Sequence, residues 1–268
     1  MEDEMFSGIL TATAIVGAVG LFIGLFLGIA GIKFKVDVDE REEAVLAVLP
    51  GNNCGGCGFA GCSGLAAAIA RGDAPVNGCP VGGEAVGKKV AAIMGVEAQE
   101  GIRMVAFVAC QGTCDKAAFD YEYTGIEDCR MLSFVPNGGA KTCDYGCLGF
   151  GSCVKACPFD AIHVVDGVAR VDKEACKACG KCVAVCPKHL ISLIPYDVKY
   201  MVACSSKDKG PVTMKACTAG CIGCTLCKKN CPADAVSIES FNAAIDPEKC
   251  IGCGACASKC PKKVIVEH

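Results

Sequence analysis

The chain has 268 residues, 25 of them cysteine, with 26 basic against 29 acidic side chains and a formal net charge of −3. In secreted chains such cysteine density belongs to disulfide-stapled scaffolds below roughly 80 residues. A chain this long buries a core without staples, so the thiols read as metal ligands. No basic excess points to nucleic acid as a partner, and with no tryptophan and only His163, His189 and His268 little room is left for histidine-based metal chemistry.

Residues 5–32, MFSGILTATAIVGAVGLFIGLFLGIAGI, carry no charge. About 20 apolar residues span a bilayer core as a helix. A cleaved signal peptide would start basic and have a shorter apolar run, whereas this chain starts MEDEM. A buried soluble helix would show a polar face, and none exists. Residues 1–36 are therefore predicted to be a transmembrane anchor. Gly20, Gly24 and Gly28 recur on one face, a spacing that lets a partner subunit's helix approach closely, although glycine is common in membrane helices in any case. Acids precede the span and Lys33 and Lys35 follow it. The positive-inside rule then predicts a single-pass protein of the cell (inner) membrane with its bulk on the cytoplasmic face, where thiols stay reduced.

Residues 37–49 read as a charged, then amphipathic, helix ending at Pro50. A cysteine module occupies 37–100, with an Ala-rich helix near 84–98. Residues 102–110 read as a buried strand. From 141 onward, cysteine loops are joined by short strands and helices. KTCDYGCLGFGSCVKACPFDAI (141–162) aligns without gaps on KACTAGCIGCTLCKKNCPADAV (215–236). Each is followed by a second loop, and VAC at 108–110 parallels VAC at 202–204. Such internal repetition signals tandem units. The expected fold class is α+β: the anchor, the module, a first ferredoxin-like unit over 101–195 with a strand-rich insert, and a second over 196–268.

Three loops have the spacing C-x2-C-x2-C-x3-C-P: Cys176, Cys179, Cys182 and Cys186; Cys221, Cys224, Cys227 and Cys231; Cys250, Cys253, Cys256 and Cys260. In this bacterial ferredoxin run three cysteines hold one [4Fe–4S] cube and the fourth holds the other cube of the pair. Two-residue gaps curl the backbone round one corner of a cube, while the fourth thiolate points to the paired loop. The expected sets are Cys221, Cys224, Cys227 and Cys260; Cys231, Cys250, Cys253 and Cys256; and Cys157, Cys176, Cys179 and Cys182. Hairpins over 235–246 and 162–172 separate the paired loops, the latter turning at Asp166-Gly167. The remaining set departs from the pattern, because Phe150 stands where the second copy has Cys224. Cys147, Cys153 and Cys186 are left, with Cys143 taken as the fourth ligand and a three-cysteine [3Fe–4S] centre as the alternative. Structural zinc prefers two separated C-x2-C pairs and does not suit these runs.

Cys54, Cys57, Cys62 and Cys79 form a different pattern, three close thiols and a distant fourth. It can cage one cube, with zinc as an alternative by spacing alone. Gly56, Gly58 and Gly61 match a dinucleotide fingerprint, but no strand precedes them, so no nucleotide or flavin site is expected. Cys110, Cys114, Cys129, Cys204 and Cys217 remain. Cys110, Cys114 and Cys129 with Cys143 would make a further centre, or they are buried free thiols. Five [4Fe–4S] clusters are expected, with a sixth possible. His163 and His189 read as surface side chains.

A cube with four thiolates changes charge by one electron and has no open coordination site, so it performs no bond chemistry; a row of them makes a relay. The motifs NNCGGCGFAGCSG with Cys79-Pro80, GIEDCR, YGCLGFGSCVKACPFDAI and VACSSKDKG, behind one membrane span, resemble the B subunits of the Rnf complexes, the ion-translocating ferredoxin:NAD oxidoreductases of bacteria and archaea. The resemblance covers nearly the whole chain and is to the longer version with four ferredoxin loops. It implies that Cys54, Cys57, Cys62 and Cys79 bind a [4Fe–4S] cluster. It also implies that soluble ferredoxin delivers electrons, which pass to integral membrane, flavin-binding and NAD-binding subunits coupled to Na+ or H+ transport. The competing expectation is an iron–sulfur subunit of another membrane-associated dehydrogenase or reductase.

Overall fold

A computed structural model describes residues 2–33, 39–97 and 101–268. Helix α1, Glu2–Lys33, is about 48 Å long at 1.5 Å per residue. Its stretch Thr13–Lys33 is long and apolar enough to cross a membrane and is not covered by the rest of the chain. A Cβ on Gly17, Gly20, Gly24, Gly28 or Gly31 would meet nothing within 4 Å. Lys35 and the first residues of the 37–49 segment lie outside the described residues.

The next three helices pack on one another. α2, Glu40–Val48, starts where Asp39 accepts a hydrogen bond from the Arg41 amide (2.9 Å), the usual N-cap device. α3, Cys62–Arg71, ends at Gly72 in the left-handed region, and α4, Gly83–Met94, ends likewise at Gly95. Both stop by the glycine C-cap. Val45 and Leu49 of the first segment, Leu65, Ala66 and Ile69 of α3 and Val90 of α4 form the core.

Beyond residue 101 the chain is written twice. Strand β1, Met104–Val108, leads into the first copy. There α5, Ser152–Ala156, is followed by hairpin β2, Ile162–Val165, and β3, Val168–Val171, then by α6, Lys181–Val185, and β4, Ile191–Pro195. β4 returns antiparallel to β1, Met104 opposite Pro195 and Val108 opposite Ile191. The second copy runs β5, Tyr200–Val202, α7, Gly210–Ala216, α8, Leu226–Lys229, hairpin β6, Val236–Glu239, and β7, Asn242–Ile245, then α9, Ala255–Ser258, and β8, Ile265–Glu267. β8 returns to β5, Tyr200 opposite Glu267. The turn of the first hairpin takes both Asp166 and Gly167 to positive φ, the conformation a two-residue hairpin requires.

The segment between β1 and Cys143 forms no further strand. It makes two short 3-10 turns, over Met131–Phe134 and Pro136–Gly138, and isolated bridges at Ala117 and Phe119. The expected strand-rich insert is thus irregular: Phe119, Tyr121 and Tyr123 alternate with Asp120 and Glu122, but none of the five is buried, and the pairing stops at the single bridge of Phe119 to Lys141. The two copies meet through Val105 and Phe107 of β1, Ile194 of β4 and Ala203, with Met201 and Val266 packed against them. The Phe107 ring stands edge-on to the His268 ring, 5.4 Å between centroids.

Candidate iron–sulfur centres

Each ferredoxin loop solves the same two local problems. A short helix carries its third cysteine, and the residue before that helix is left-handed: Gly151, Gly180, Thr225 and Gly254, at φ 70, 75, 63 and 71. That kink turns the chain back on itself, and glycine adopts it without strain. Three residues after the fourth cysteine, Asp160, His189, Asp234 and Lys263 are again left-handed. This swings the next amide onto the cysteine sulfur: Ala161 N–H donates to Cys157 Sγ (3.5 Å), Leu190 to Cys186 (3.4 Å) and Ala235 to Cys231 (3.3 Å). His189 is therefore a turn residue, and such N–H···S bonds are among the features that tune iron–sulfur potentials.

The loops close round four separate cavities. One, with about 350 Å³ of empty space partly open to solvent, is lined by Cys157, Cys176, Cys179 and Cys182. Another of about 350 Å³ is lined by Cys221, Cys224, Cys227 and Cys260, and one of about 310 Å³ by Cys231, Cys250, Cys253 and Cys256. The fourth, about 360 Å³, is lined by Cys129, Cys147, Cys153 and Cys186.

That last set corrects the expectation from spacing, which placed Cys143 with Cys147, Cys153 and Cys186. Cys129 takes the place, and Cys143 faces a different cavity. The irregular insert brings it there. The Cys129 amide donates to Ser152 Oγ (2.8 Å), which in turn donates to Asp128 Oδ1 (2.8 Å). Asp128 also accepts from the Arg130 guanidinium, and these hydrogen bonds hold its carboxyl far below the usual range. Phe150 instead packs edge-on to Tyr123, 5.4 Å between centroids. The signal was present in the sequence as a cysteine inside an insert unique to the first copy. Spacing alone could not choose between Cys129 and the nearer Cys143.

A fifth cavity, about 390 Å³, lies where the copies meet. Cys110, Cys143, Cys204 and Cys217 line it, with Lys141, Tyr145 and Thr213. The grouping of Cys110, Cys114 and Cys129 with Cys143, considered from sequence, is not formed: Cys129 faces another cavity and Cys114 is exposed.

In the module, Cys62 opens α3, its amide donating to Asn53 Oδ1 (2.8 Å). Cys79 Sγ accepts from the Gly82 amide (3.3 Å). Burial raises the Cys79 thiol, opposed by the Gly82 and Val81 amides and reinforced by Cys62 and Cys54. Cys57, Cys62 and Cys79 pack on the same three-helix core.

The thiols act on one another within each set. Burial pushes Cys153 up to about 12, with Cys147, Cys129 and Cys186 adding to it. Burial takes Cys182 to about 11, with Cys176 and Cys179 adding. Cys143 also reaches about 11, mainly by burial, with the Tyr145 amide opposing and Cys110, Cys204 and Cys217 adding. Four crowded thiolates need a cationic core to offset their repulsion. Among the described residues no three such side chains converge to hold a single metal ion. Zinc would draw four sulfurs to about 2.3 Å from one point. Thiols spread round a cavity suit a cube, whose irons stand at separate corners.

Comparison with known proteins finds iron–sulfur families along the chain. Residues 49–81 match an Fe-S cluster family, residues 220–264 and 175–236 match 4Fe-4S dicluster domains, and residues 152–197 match the LdpA Fe-S cluster-binding domain. The chain is 46% identical to the B subunit of the Na(+)-translocating ferredoxin:NAD(+) oxidoreductase complex of Acetobacterium woodii, over 91% of this chain and 74% of that protein. It is 43% identical to the B subunit of the ion-translocating oxidoreductase complex of Methanosarcina acetivorans, over 91% of this chain and 93% of that protein. It is also 43% identical to the B subunit of the proton-translocating ferredoxin:NAD(+) oxidoreductase complex of Clostridium ljungdahlii, over 85% of this chain and 81% of that protein.

Proposed function

The chain belongs to the family of B subunits of the ion-translocating oxidoreductase (Rnf) complexes, and from that membership we propose that it relays electrons from reduced soluble ferredoxin towards membrane and flavin- and NAD-binding partner subunits. Five [4Fe–4S] groups serve the relay. Their ligands are Cys54, Cys57, Cys62 and Cys79; Cys157, Cys176, Cys179 and Cys182; Cys129, Cys147, Cys153 and Cys186; Cys221, Cys224, Cys227 and Cys260; and Cys231, Cys250, Cys253 and Cys256. When bound, each group gives or takes one electron without making or breaking a substrate bond.

The chain's own residues do the rest. The thiolates fix each group, the Ala161, Leu190 and Ala235 amides place positive dipoles on ligand sulfurs, and the apolar cores of the two copies keep water from the inner ligands. The observation that carries the reading is direct backbone contact between the module and a ferredoxin loop: a Cβ on Gly56 would lie 2.8 Å from the Cys179 carbonyl oxygen.

Helix α1 holds the relay at the membrane, with residues beyond it on the cytoplasmic side, where reduced ferredoxin is found. Gly20, Gly24 and Gly28 leave room along it for a partner subunit's helix. Residues 101–195 and 196–268 act as the two ferredoxin-like units.

The test is anaerobic purification from membranes followed by titration with reduced ferredoxin. The expected result is co-purification with integral membrane subunits and stoichiometric bleaching of the brown chromophore. A chain that comes alone and takes no electron from reduced ferredoxin would sink the proposal.

A further inference from the structure

The cavity at the junction of the two copies belongs to none of the five sets above, yet four cysteines line it. Cys110 and Cys143 come from the first copy and Cys204 and Cys217 from the second. They are repeat mates. Cys110 and Cys204 each end a VAC run, and Cys143 and Cys217 occupy the same place in the gap-free alignment. Each copy thus delivers the same two thiols to one space, a two-fold arrangement neither copy makes alone.

The surroundings repeat too. The Cys147 amide donates to Cys110 Sγ (3.4 Å), and the Cys221 amide, its repeat mate, donates to Cys204 Sγ (3.3 Å). Cys147 and Cys221 are ligands of the neighbouring set in their own copies. The junction is pinned by backbone bonds from the insert, the Ala118 amide to the Ala216 carbonyl (2.9 Å) and the Thr142 amide to the Ala118 carbonyl (2.9 Å). Ser205 Oγ donates to the Tyr145 carbonyl across the copies (2.9 Å).

A second observation is independent of the cysteines. Lys141 lines the same cavity and is 5% exposed, the one charged side chain buried among the described residues. Its Nζ donates to the Gly112 carbonyl (2.8 Å) and the Gly167 carbonyl (3.0 Å), and among the described residues it has no carboxylate partner. Its repeat mate, Lys215, is exposed. A buried ammonium is costly unless an anion stands near it. Four thiolates round an oxidised cube carry a net charge of roughly −2 and would supply one.

We infer that Cys110, Cys143, Cys204 and Cys217 are the ligands of a sixth [4Fe–4S] centre, shared by the two ferredoxin-like units and lying between the set of Cys147 and the set of Cys221. The inference rests on the relay reading and gives it an order. The module adjoins the set of Cys179, whose unit also holds the set of Cys147; the junction centre follows, then the two sets of the second unit. One electron enters the junction from one side and one leaves by the other, with no proton or bond change. Cys114, whose amide binds the Asp166 carbonyl (2.9 Å) at the hairpin turn, is the cysteine left without a centre.

The experiment uses the full chain, purified anaerobically. Wild-type protein should hold about 24 iron and 24 sulfide. C110S/C217S should hold about 20 of each and take one electron fewer on full reduction, and C114S should match wild type. Iron-edge anomalous scattering from wild-type crystals, which needs no variant to fold, should place density within the junction cavity. A wild-type count near 20 with no density there, or zinc in its place, overturns the sixth centre and leaves the five-centre relay standing. An unchanged count in a folded C110S/C217S protein overturns the ligand assignment. A wild-type count near 8 defeats the relay itself.

Discussion

Gly56 lies against the backbone of Cys179 so closely that a Cβ on it would sit 2.8 Å from the Cys179 carbonyl oxygen and 2.9 Å from its α-carbon. The requirement is steric. Gly56 opens no left-handed turn of its own, but any side chain there would collide with main chain that cannot swing away. The Cys54 thiol is near enough to push the Cys179 thiol upward, behind the larger effect of burial and alongside Cys157 and Cys176. The module and the first ferredoxin-like unit are thus in contact at their cysteine loops.

Gly56→Ala should separate those loops. Overpacking of this kind costs about 1–3 kcal/mol. Iron and sulfide should stay at the wild-type value, while the magnetic interaction between the module's reduced signal and its neighbour weakens in EPR and electron exchange between them slows, because tunnelling falls steeply with distance. An alanine variant with wild-type coupling would show that the close approach has no electronic role.

Cys129→Ser should convert its centre to a three-iron species, seen as a new EPR signal in the oxidised protein and a loss of about one iron. Cys143→Ser should leave that centre untouched and alter the junction centre instead. The reverse pattern would restore the assignment that sequence spacing suggests.

Lys141→Met removes the buried positive charge and should make the junction centre harder to reduce, with its midpoint moving to lower potential in a redox titration followed by EPR. The Gly112 and Gly167 carbonyls lose their donor, a stability cost of about 1–3 kcal/mol. Lys215→Met, at the exposed repeat mate, should shift nothing. Equal shifts in both variants would mean the field is general and not local to Lys141.

Stripping iron anaerobically with a chelator should unfold residues 101–268 while leaving α1 helical in detergent. The strands there are 3–5 residues long and the helices 4–7, too short to persist without what they enclose. Binding free energy is then folding free energy. Far-UV circular dichroism would follow the loss, and a native-like spectrum in the iron-free protein would contradict it.

Much of this was legible along the chain. A 28-residue uncharged run, loops of the form C-x2-C-x2-C-x3-C-P and a gap-free internal repeat are local features. Their meaning follows from bilayer thickness and the shape of a cube, both independent of the rest of the fold. The loops over 176–186, 221–231 and 250–260 place three thiols by backbone curl alone, so spacing was enough to name them together. The fourth thiol of each set required only the pairing of adjacent loops.

What spacing could not reach was any ligand set assembled from far-separated segments. Cys129 and Cys143 are both cysteines near a gap in the pattern, and only the Ser152–Asp128 hydrogen bonds, made when the insert folds over the first unit, decide which one enters. The four cysteines of the junction span residues 110–217 and meet because the β1–β4 ladder packs on Ala203, Met201 and Val266 and because Ala118 bonds to Ala216 and Ser205 to Tyr145 across the copies. Sequence by itself determined the iron–sulfur chemistry, a helix long and apolar enough to cross a membrane, and the repeat, since each is written in neighbouring residues. Tertiary packing alone decided which distant thiols share a cavity and in what order the cavities follow, because proximity between segments is a property of the folded chain and has no local signature.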